Sequence, residues 1–360
     1  MPADKQIRVV VIGAGKIAVG AHMPSLQRLG DAVVVGAADV NEEALAAFAE
    51  KWKIPQTDAD VDALLAKTEP DLVVVCSPPG LHSQHVIAGL RAGAWVWCEK
   101  PPARSLSEYD AMMAAQGETG PYASIVFQQR YGSGTRHLAE LVRTNALGEP
   151  HVALCQTTWF RDDAYFAVPW RGKFETEGGG PSMALGIHQI DLMLTVLGDW
   201  SEIRAMTGTL ARQIETDDVA MASVRFERGT MASIVTSALS PREESYLRFD
   251  FRDATVELSH LYGYDNSHWR FTPAKEPRTA VEKAWPPADD VRSSHFAALQ
   301  DVVASMRAGE RPVTGGASGR AALELITAMY ASADTGLPVR RGEIGPGHPY
   351  YQSMNGKAFS

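Results

Sequence analysis

A short apolar run that ends in a glycine-rich turn constrains the fold of this chain more than any other feature. Residues 7–12 (IRVVVI) are typical of a strand buried on both faces, and the turn Gly13-Ala14-Gly15-Lys16-Ile17-Ala18 follows it directly. In such a turn the first glycine permits the bend, the second lets a pyrophosphate approach the backbone, and the small last residue lets the helix pack on the strand. The pattern therefore predicts a dinucleotide site at Gly13 and Gly15, with the helix amides near Lys16 and Ile17 facing the phosphates.

Strands and helices alternate through the first third of the chain. The predicted strands span residues 7–12, 32–38, 71–76, 94–98 and 122–127, and the predicted helices span 16–29, 41–52, 82–92 and 105–116. This alternation implies a parallel sheet with helices on both faces, which binds ligands at the carboxyl ends of its strands. We therefore predict a Rossmann NAD(P)-binding domain over residues 1–128.

Asp39 ends the second predicted strand, about 20 residues beyond the glycine turn, where a ribose-binding carboxylate belongs. A carboxylate would repel a 2′-phosphate, so Asp39 favours NAD. Lys16 could offset that repulsion, which leaves NADP open. The alternative interpretation is a tight strand-to-helix turn with a capping aspartate.

Two further segments follow predicted strands at the ligand-binding edge. Ser77-Pro78-Pro79-Gly80 must turn out of the sheet, since proline cannot continue a central strand, and it is expected to line the cofactor pocket together with His82. A rigid loop is the compatible alternative. The histidines at 82 and 85 otherwise suit an exposed helix start, and they lack a third ligand at metal-binding spacing, so no metal site is predicted.

Glu99-Lys100-Pro101 directly follows the strand at residues 94–98. A lysine at the carboxyl end of a buried strand lies near the predicted cofactor. It can donate a hydrogen bond to a substrate hydroxyl and share its proton during oxidation. Taken alone, the same tripeptide would be typical of a surface turn.

Composition narrows the class of partner. The formal net charge of -9 argues against a nucleic-acid partner, which would require a basic face. No apolar run approaches the ~20 residues of a membrane span, and no signal peptide is visible, so we expect a cytoplasmic protein that does not enter membranes. The three cysteines, at 76, 98 and 155, are predicted to be buried reduced thiols.

Beyond residue 128 the pattern changes to alternating runs. Predicted antiparallel strands span residues 152–159, 203–210, 219–226, 231–238, 247–251 and 254–258. A helix is predicted over residues 182–197, with His188 and Asp191 three residues apart on one face. His188 could transfer a proton, bind substrate or simply be packed in the core, and Asp191 could bind a hydroxyl or anchor the helix. The candidates for the wall of a substrate pocket are Arg130, Tyr131, Trp159, Trp170 and Arg171, because arginine binds carboxylates or pairs of hydroxyls and aromatic faces pack on sugar C–H groups. We therefore predict a second, substrate-binding and oligomerisation domain over residues 129–360.

Taken together, these motifs resemble the Gfo/Idh/MocA family of glucose–fructose oxidoreductase, inositol dehydrogenase and rhizopine-catabolism proteins. The resemblance rests on the glycine turn, Asp39, Ser77-Pro78-Pro79 and Glu99-Lys100-Pro101, and it extends through Gly178-Gly179-Gly180, His188, Asp191, Pro312-Val313-Thr314 and Ala328-Met329-Tyr330. It implies an α/β chain, with a Rossmann domain followed by an α+β domain built on a large, mostly antiparallel open sheet.

The resemblance also implies residue roles. Lys100 would be the catalytic lysine, Lys100-Pro101 a cis peptide, and His188 its partner in proton transfer. The cofactor residues would be Gly13, Gly15, Lys16, Ile17, Asp39, Ser77, Pro78, His82, Glu99 and Lys100, and the substrate residues Lys100, Arg130, Trp170, His188 and Asp191. The family usually has an aspartate four residues before the histidine, whereas this chain has Ala184.

The implied activity is NAD(P)-dependent hydride transfer to or from a carbinol of a sugar, inositol or related polyol. Two alternatives stay open at this point. One is glycoside cleavage with an internal redox cycle on tightly held NAD. The other is a non-catalytic dinucleotide-binding sensor, because Ala184 replaces the aspartate that the family usually has at this position. Because an open sheet has an uncovered face, we expect a homo-oligomer that buries it.

Overall fold

The computed structural model describes residues 5–278, 281–285 and 287–357. The chain divides into two compact units. The first unit comprises residues 1–103, 107–126 and 295–320, and the second comprises residues 104–106, 127–294 and 321–360. The predicted domains, 1–128 and 129–360, differ from these units chiefly in the segment 295–320, which returns to the first unit although it lies late in the chain.

The first unit is built on a six-stranded parallel sheet. Its strand order is β3-β2-β1-β4-β5-β6, the doubly wound order of dinucleotide-binding folds. The strands are β1 (Ile7–Ile12), β2 (Ala32–Ala38), β3 (Thr57–Asp58), β4 (Leu72–Val75), β5 (Trp95–Cys98) and β6 (Ala123–Ile125). β4 and most of β1 are buried on both faces, as their apolar sequences require.

Helices cover this sheet. They are α1 (Met23–Leu29), α2 (Glu42–Trp52), α3 (Val61–Thr68), α4 (His82–Arg91), α5 (Leu106–Ala114) and α11 (His295–Ala308). Asn41 caps α2 and Asp60 caps α3, each accepting a backbone N–H of the first turn. The predicted continuous helix over residues 16–29 is wrong in one respect: a π-helical turn, Ala18–His22, precedes α1 and accommodates one extra residue.

The second unit contains an eight-stranded sheet in the order β13-β12-β11-β7-β10-β9-β8-β14. All neighbours are antiparallel except β7 and β10, so the predicted mostly antiparallel sheet is confirmed. The strands are β7 (Pro150–Phe160), β8 (Trp200–Gly208), β9 (Val219–Phe226), β10 (Met231–Ser237), β11 (Leu239–Phe251), β12 (Ala254–Ser259), β13 (Trp269–Pro273) and β14 (Val339–Arg340).

The helices of the second unit include α6 (Ser133–Arg143), α7 (Asp163–Phe166), α8 (Phe174–Glu177), α9 (Pro181–Ala184), α10 (Ile187–Leu197) and α13 (Pro349–Gln352). α12 (Gly316–Thr335) starts in the first unit and continues in the second. α9 and α10 correct the prediction of one helix over residues 182–197. The helix is interrupted at Leu185-Gly186, where a Cβ on Gly186 would lie 2.5 Å from the Thr236 side chain of β10.

The two faces of the second sheet differ. α9 and α10 pack against strands β7, β10 and β11. The other face exposes apolar side chains of adjacent strands, namely Val152, Met206, Met221 and Met231. No helix among the described residues is long and apolar enough to cross a membrane.

Candidate active site

The glycine turn depends on the absence of side chains. Gly13 has a φ of +99°, and a Cβ there would lie 2.7 Å from the backbone carbonyl carbon and oxygen of Cys76 at the end of β4. Gly15 differs, because no described atom lies within 4 Å of the position its Cβ would take. Lys16 and Ile17 are exposed beside it. The turn therefore offers open space next to backbone amides, as a bound pyrophosphate requires.

Asp39 lies directly beside this turn. Its Oδ2 accepts the N–H of Ala14 at 2.8 Å, and its Oδ1 accepts the N–H of Asn41 at 2.9 Å. The carboxylate thus ties the glycine turn to the segment that leads into α2. Only part of the side chain is buried, so Asp39 can still meet a ligand that extends from the turn.

The segment after β4 is held by two buried histidines, which corrects the expectation of an exposed helix start. His82 lies with Nε2 2.8 Å from the carbonyl of Ser77 and Nδ1 2.7 Å from the carbonyl of Pro101. His85 Nδ1 lies 2.9 Å from Ser77 Oγ. Burial lowers the pKa of His82, against the opposing effect of the two carbonyls, and lowers the pKa of His85 to about 4. His82 therefore positions the loops that contain Ser77 and Pro101.

Glu99 is buried between two histidines that sequence analysis did not single out. Its Oε1 lies 2.8 Å from His22 Nε2 and 3.1 Å from His295 Nε2. Burial acts to raise the pKa of Glu99, but the hydrogen bonds from both imidazoles hold it well below its usual range, while burial lowers the pKa of His22. These directions agree with an ionised carboxylate that accepts N–H bonds from a neutral His22 and from His295.

The same three side chains have the donor types of a divalent-metal site. Their ligand atoms all lie within 4.8 Å of one another. The hydrogen bonds already account for both contacts to Glu99 Oε1, so this geometry does not require a metal.

Lys100 follows β5 and is half-buried. Its backbone N–H donates to Glu99 Oε2 at 3.1 Å, and the Lys100-Pro101 peptide is cis, which confirms that expectation. The carboxyl ends of β1, β2, β4 and β5 are neighbours in the parallel sheet. The first unit therefore brings Gly13, Asp39, Ser77 and Lys100 to one edge.

In the second unit, Arg130 and Asp191 bind each other. Arg130 Nε lies 2.7 Å from Asp191 Oδ2 and its Nη2 lies 2.5 Å from Oδ1, with both side chains buried. Burial raises the pKa of Asp191, and the guanidinium opposes that shift. This bidentate pair supports the interpretation that Asp191 anchors its helix. The Arg130 guanidinium, which was predicted to bind substrate, uses Nε and Nη2 to bind Asp191 instead.

His188 is buried on α10 next to a tyrosine that sequence analysis also missed. Its Nε2 lies 3.4 Å from the hydroxyl of Tyr262, which also accepts a hydrogen bond from Gln128. The rings of Phe127 and Tyr262 meet the imidazole edge to face. Gln128 and Tyr262 come from distant segments, and no local pattern marks them.

Trp170 and Arg171 form part of an aromatic cluster. The Arg171 guanidinium lies 4.2 Å from the Trp170 ring and 3.8 Å from the Tyr165 ring, and it pairs with the buried carboxylate of Glu177 at 2.8 Å. Trp159, the other predicted wall residue, donates its indole N–H to Ser245 Oγ. Arg171 is thus fixed by its neighbours, whereas Trp170 remains half-buried.

Ala184, where the resemblance would have an aspartate, lines a small cavity of about 10 Å³. Asp217 lines the same cavity, and burial raises its pKa to about 6. Neither Asp217 nor its neighbour Thr216 was singled out from the sequence.

Known families account for most of the chain. Residues 7–126 match the sequence model described as "Oxidoreductase family, NAD-binding Rossmann fold" (GFO_IDH_MocA), and residues 135–259 match the "GFO/IDH/MocA C-terminal domain".

Similar individual proteins include dehydrogenases. D-glucoside 3-dehydrogenase of Escherichia coli (strain K12) is 28% identical over 358 residues, covering 92% of this chain and 97% of that protein. Myo-inositol 2-dehydrogenase of Thermotoga maritima is 25% identical over 354 residues, which cover 94% of this chain and 99% of that protein. A similar solved structure is the WlbA dehydrogenase from Bordetella pertussis in complex with NADH and UDP-GlcNAcA. It matches with a TM-score of 0.85 at 27% identity, and the match covers 94% of this chain and 99% of that chain.

Proposed function

Because this chain belongs to the GFO/IDH/MocA family of NAD(P)-dependent oxidoreductases, we propose that it transfers a hydride between NAD and a ring carbinol of a sugar, inositol or related polyol. One observation carries the proposal: the glycine turn, Asp39 and Lys100 meet at one edge of the parallel sheet. The names of the relatives support the substrate class, since they act on a D-glucoside and on myo-inositol.

The residues of this edge fit an NAD molecule. Gly15 leaves open space beside the backbone amides, which suits the pyrophosphate, and Asp39 suits the ribose hydroxyls. Asp39 also favours NAD over NADP, because a 2′-phosphate would meet its negative charge. The bound nicotinamide supplies the hydride acceptor, and the protein supplies position and proton transfer.

Lys100 is the proposed proton-transfer residue. During oxidation the substrate C–H bond gives up a hydride and the hydroxyl gives up its proton, which Lys100 accepts; reduction reverses both steps. The Glu99–His22–His295 group supports this role by fixing the backbone from which Lys100 projects. His188 is its proposed partner in proton transfer.

The test follows nicotinamide reduction with aldoses, inositols, glucosides and sugar acids. Wild-type protein is expected to reduce NAD with at least one of them. Lys100→Met is expected to lower kcat by about 10²–10⁴-fold while NADH binding persists. Lys67→Met, which removes an exposed lysine of α3, serves as the matched control and should retain activity.

The other outcomes discriminate the alternatives. Product release from a glycoside without net NADH would favour the internal redox cycle, and cofactor binding with no turnover would favour a sensor. Full activity of Lys100→Met would show that another group transfers the proton.

A further inference from the structure

The ring of Tyr262 packs edge to face against the imidazole of His188 in the second unit. His188 lies in the first turn of α10, and Tyr262 lies three residues beyond β12. The ring centroids are 5.6 Å apart, and the Tyr262 hydroxyl lies 3.4 Å from His188 Nε2. His188 is 2% exposed, whereas Tyr262 is 40% exposed. Tyr262 therefore brings a hydroxyl to a buried imidazole from a partly exposed position.

Gln128 orients the hydroxyl of Tyr262. Its Nε2–H donates to the phenol oxygen, and its side chain is 1% exposed. A phenol can both donate through its O–H and accept at its oxygen. With the Gln128 amide donating to this oxygen, the O–H can donate to Nε2 of a neutral His188. The same oxygen can accept Nε2–H when the imidazole carries its proton there, so the hydroxyl suits either state of the ring.

The loop that contains Tyr262 is held by hydrogen bonds on both sides of this residue. Before it, the carbonyl of Leu261 accepts the hydroxyl of Ser245 at 2.9 Å. After it, the N–H of Tyr264 donates to Ser293 Oγ at 2.7 Å. The backbone on either side is thus fixed by residues outside the loop, and the position of the phenol does not depend on His188.

The helix that bears His188 is held from the same turn that orients the phenol. Arg130 lies in the four-residue turn Gln128–Tyr131 and binds Asp191, which is three residues beyond His188 on α10. One side chain of this turn therefore anchors the helix, and another orients the hydroxyl that faces the imidazole. Both partners of the contact are fixed relative to each other.

A histidine that transfers a proton needs an orienting group. The hydrogen bond made by one ring nitrogen decides which nitrogen carries the proton, and it also fixes the angle of the ring. Ala184, four residues before His188, has only a methyl group and cannot supply that hydrogen bond. Tyr262, which lies about 70 residues further along the chain, has a hydroxyl in the place where such a group is needed.

We propose that Tyr262 is a positioning residue for His188. Held by Gln128, its hydroxyl bonds to Nε2 and keeps the imidazole in one tautomer and one orientation. The proposal rests on the proposed function, since it assigns a supporting group to the proton-transfer partner of Lys100. Tyr262 exchanges no proton with the substrate in this role. Because it acts through His188, its hydroxyl should matter for catalysis only while the imidazole is present.

A double-mutant cycle with the best polyol substrate of the panel tests this dependence. Tyr262→Phe keeps the ring and removes the hydroxyl. It is expected to lower kcat about 5- to 20-fold while KM for the polyol changes less than about twofold, because the imidazole is present but no longer held. In a His188→Gln background the same substitution should lower kcat less than about twofold.

Tyr246→Phe is the matched control for this cycle. The hydroxyl of Tyr246 donates to Glu257 at 2.7 Å, and the side chain lies on the less buried face of β11, away from α10. This variant loses a phenol hydrogen bond of the same unit and should keep the kcat of wild type in both backgrounds.

Nitrogen-15 NMR of protein labelled at histidine tests the contact apart from turnover. The ring signals of His188 are identified by their loss in His188→Gln. Tyr262→Phe is expected to shift them, because the hydrogen bond at Nε2 is lost while the aromatic ring stays. Gln128→Leu removes the amide that orients the hydroxyl and should shift the same signals, which decides the matter if Tyr262→Phe fails to fold. Tyr246→Phe should leave them unchanged.

The outcomes separate this proposal from the proposed function. Equal loss of kcat with and without the His188 imidazole, or full activity of Tyr262→Phe, would overturn the positioning role. Polyol turnover with unchanged His188 ring signals would overturn it too, and would leave the reaction standing. Shifted ring signals in a protein that turns over no polyol would overturn the reaction alone. Unchanged signals together with no turnover would overturn both.

Discussion

The buried carboxyl of Asp217 links the ionisation of one side chain to the stability of the second unit. Burial raises its pKa to about 6, with Asp218 adding to the shift and the Tyr330 hydroxyl opposing it. A carboxyl whose pKa is raised on folding stabilises the folded state below its unfolded pKa, and that contribution is lost as pH rises through the folded value. The wild-type protein should therefore lose stability from this group between pH ~4 and ~6.

Asp217→Asn removes this titration while keeping an oxygen for Tyr330. Between pH 4.5 and pH 7.5 the unfolding free energy of the variant should shift relative to wild type, in favour of the variant, by about 2 kcal/mol. Urea denaturation at the two pH values measures the shift. A difference between the two proteins that does not change with pH would contradict a raised pKa at Asp217.

Single residues differ in how far the sequence reveals them. The positions of Gly13, Asp39 and Lys100 at one edge of the sheet were predictable because each follows a strand, at a spacing that the local chain fixes. Asp217 was not, because its partners Gly180 and Tyr330 are 37 and 113 residues away. Contacts of that separation leave no periodic signal in the sequence.

The turn between β1 and the π-helical segment depends on one backbone conformation. Gly13→Ala would place a Cβ 2.7 Å from the Cys76 backbone at a φ of +99°, so the turn must move. We expect NADH affinity to fall by more than about tenfold and the thermal midpoint to fall with it. Fluorescence titration with NADH and a thermal melt measure the two effects.

Gly20→Ala provides the comparison within the same segment. Gly20 lies in the π-helical turn, and no described atom lies within 4 Å of its Cβ position. This variant should bind NADH like wild type. Equal losses in both variants would mean that the turn is sensitive to any substitution rather than to the backbone conformation of Gly13.

Whole elements were predictable where hydrophobic periodicity is strong. β9 matches its predicted bounds, and β10 and β12 match theirs to within one residue. The interruption between α9 and α10 was not predictable, because the apolar residues there suit one continuous helix. What ends α9 is a tertiary contact: Gly186 packs against Thr236 of β10, about 50 residues further along the chain.

At the scale of the molecule, the uncovered face of the eight-stranded sheet predicts self-association. Val152, Met206, Met221 and Met231 are between 43% and 73% exposed on adjacent strands. An apolar surface of this kind on a sheet is typical of an interface between copies. Light scattering after gel filtration should therefore give a mass of at least twice 39.0 kDa.

Charge on that face should reverse the association. Met206→Lys combined with Met221→Lys is expected to shift the protein toward the monomer, because each ammonium would be buried in an apolar interface. Leu337→Lys changes an exposed leucine outside the sheet and should leave the mass unchanged. A wild-type monomer, or an oligomer unaffected by the double substitution, would contradict an interface here.

The first unit combines early segments of the chain with residues 295–320, and this determines when during synthesis the unit can finish folding. A nascent chain that has reached residue 126 carries all six strands of the parallel sheet, yet α11 has not been synthesised. Buried side chains of α11, such as Leu299 and Val302, pack in that unit, and His295 completes the environment of Glu99. Until residue 320 has left the ribosome, the surface that α11 covers stays exposed to solvent. The amino-terminal sheet can therefore complete its fold only after residue 320 has been translated, and its exposed surface is open to chaperones until then.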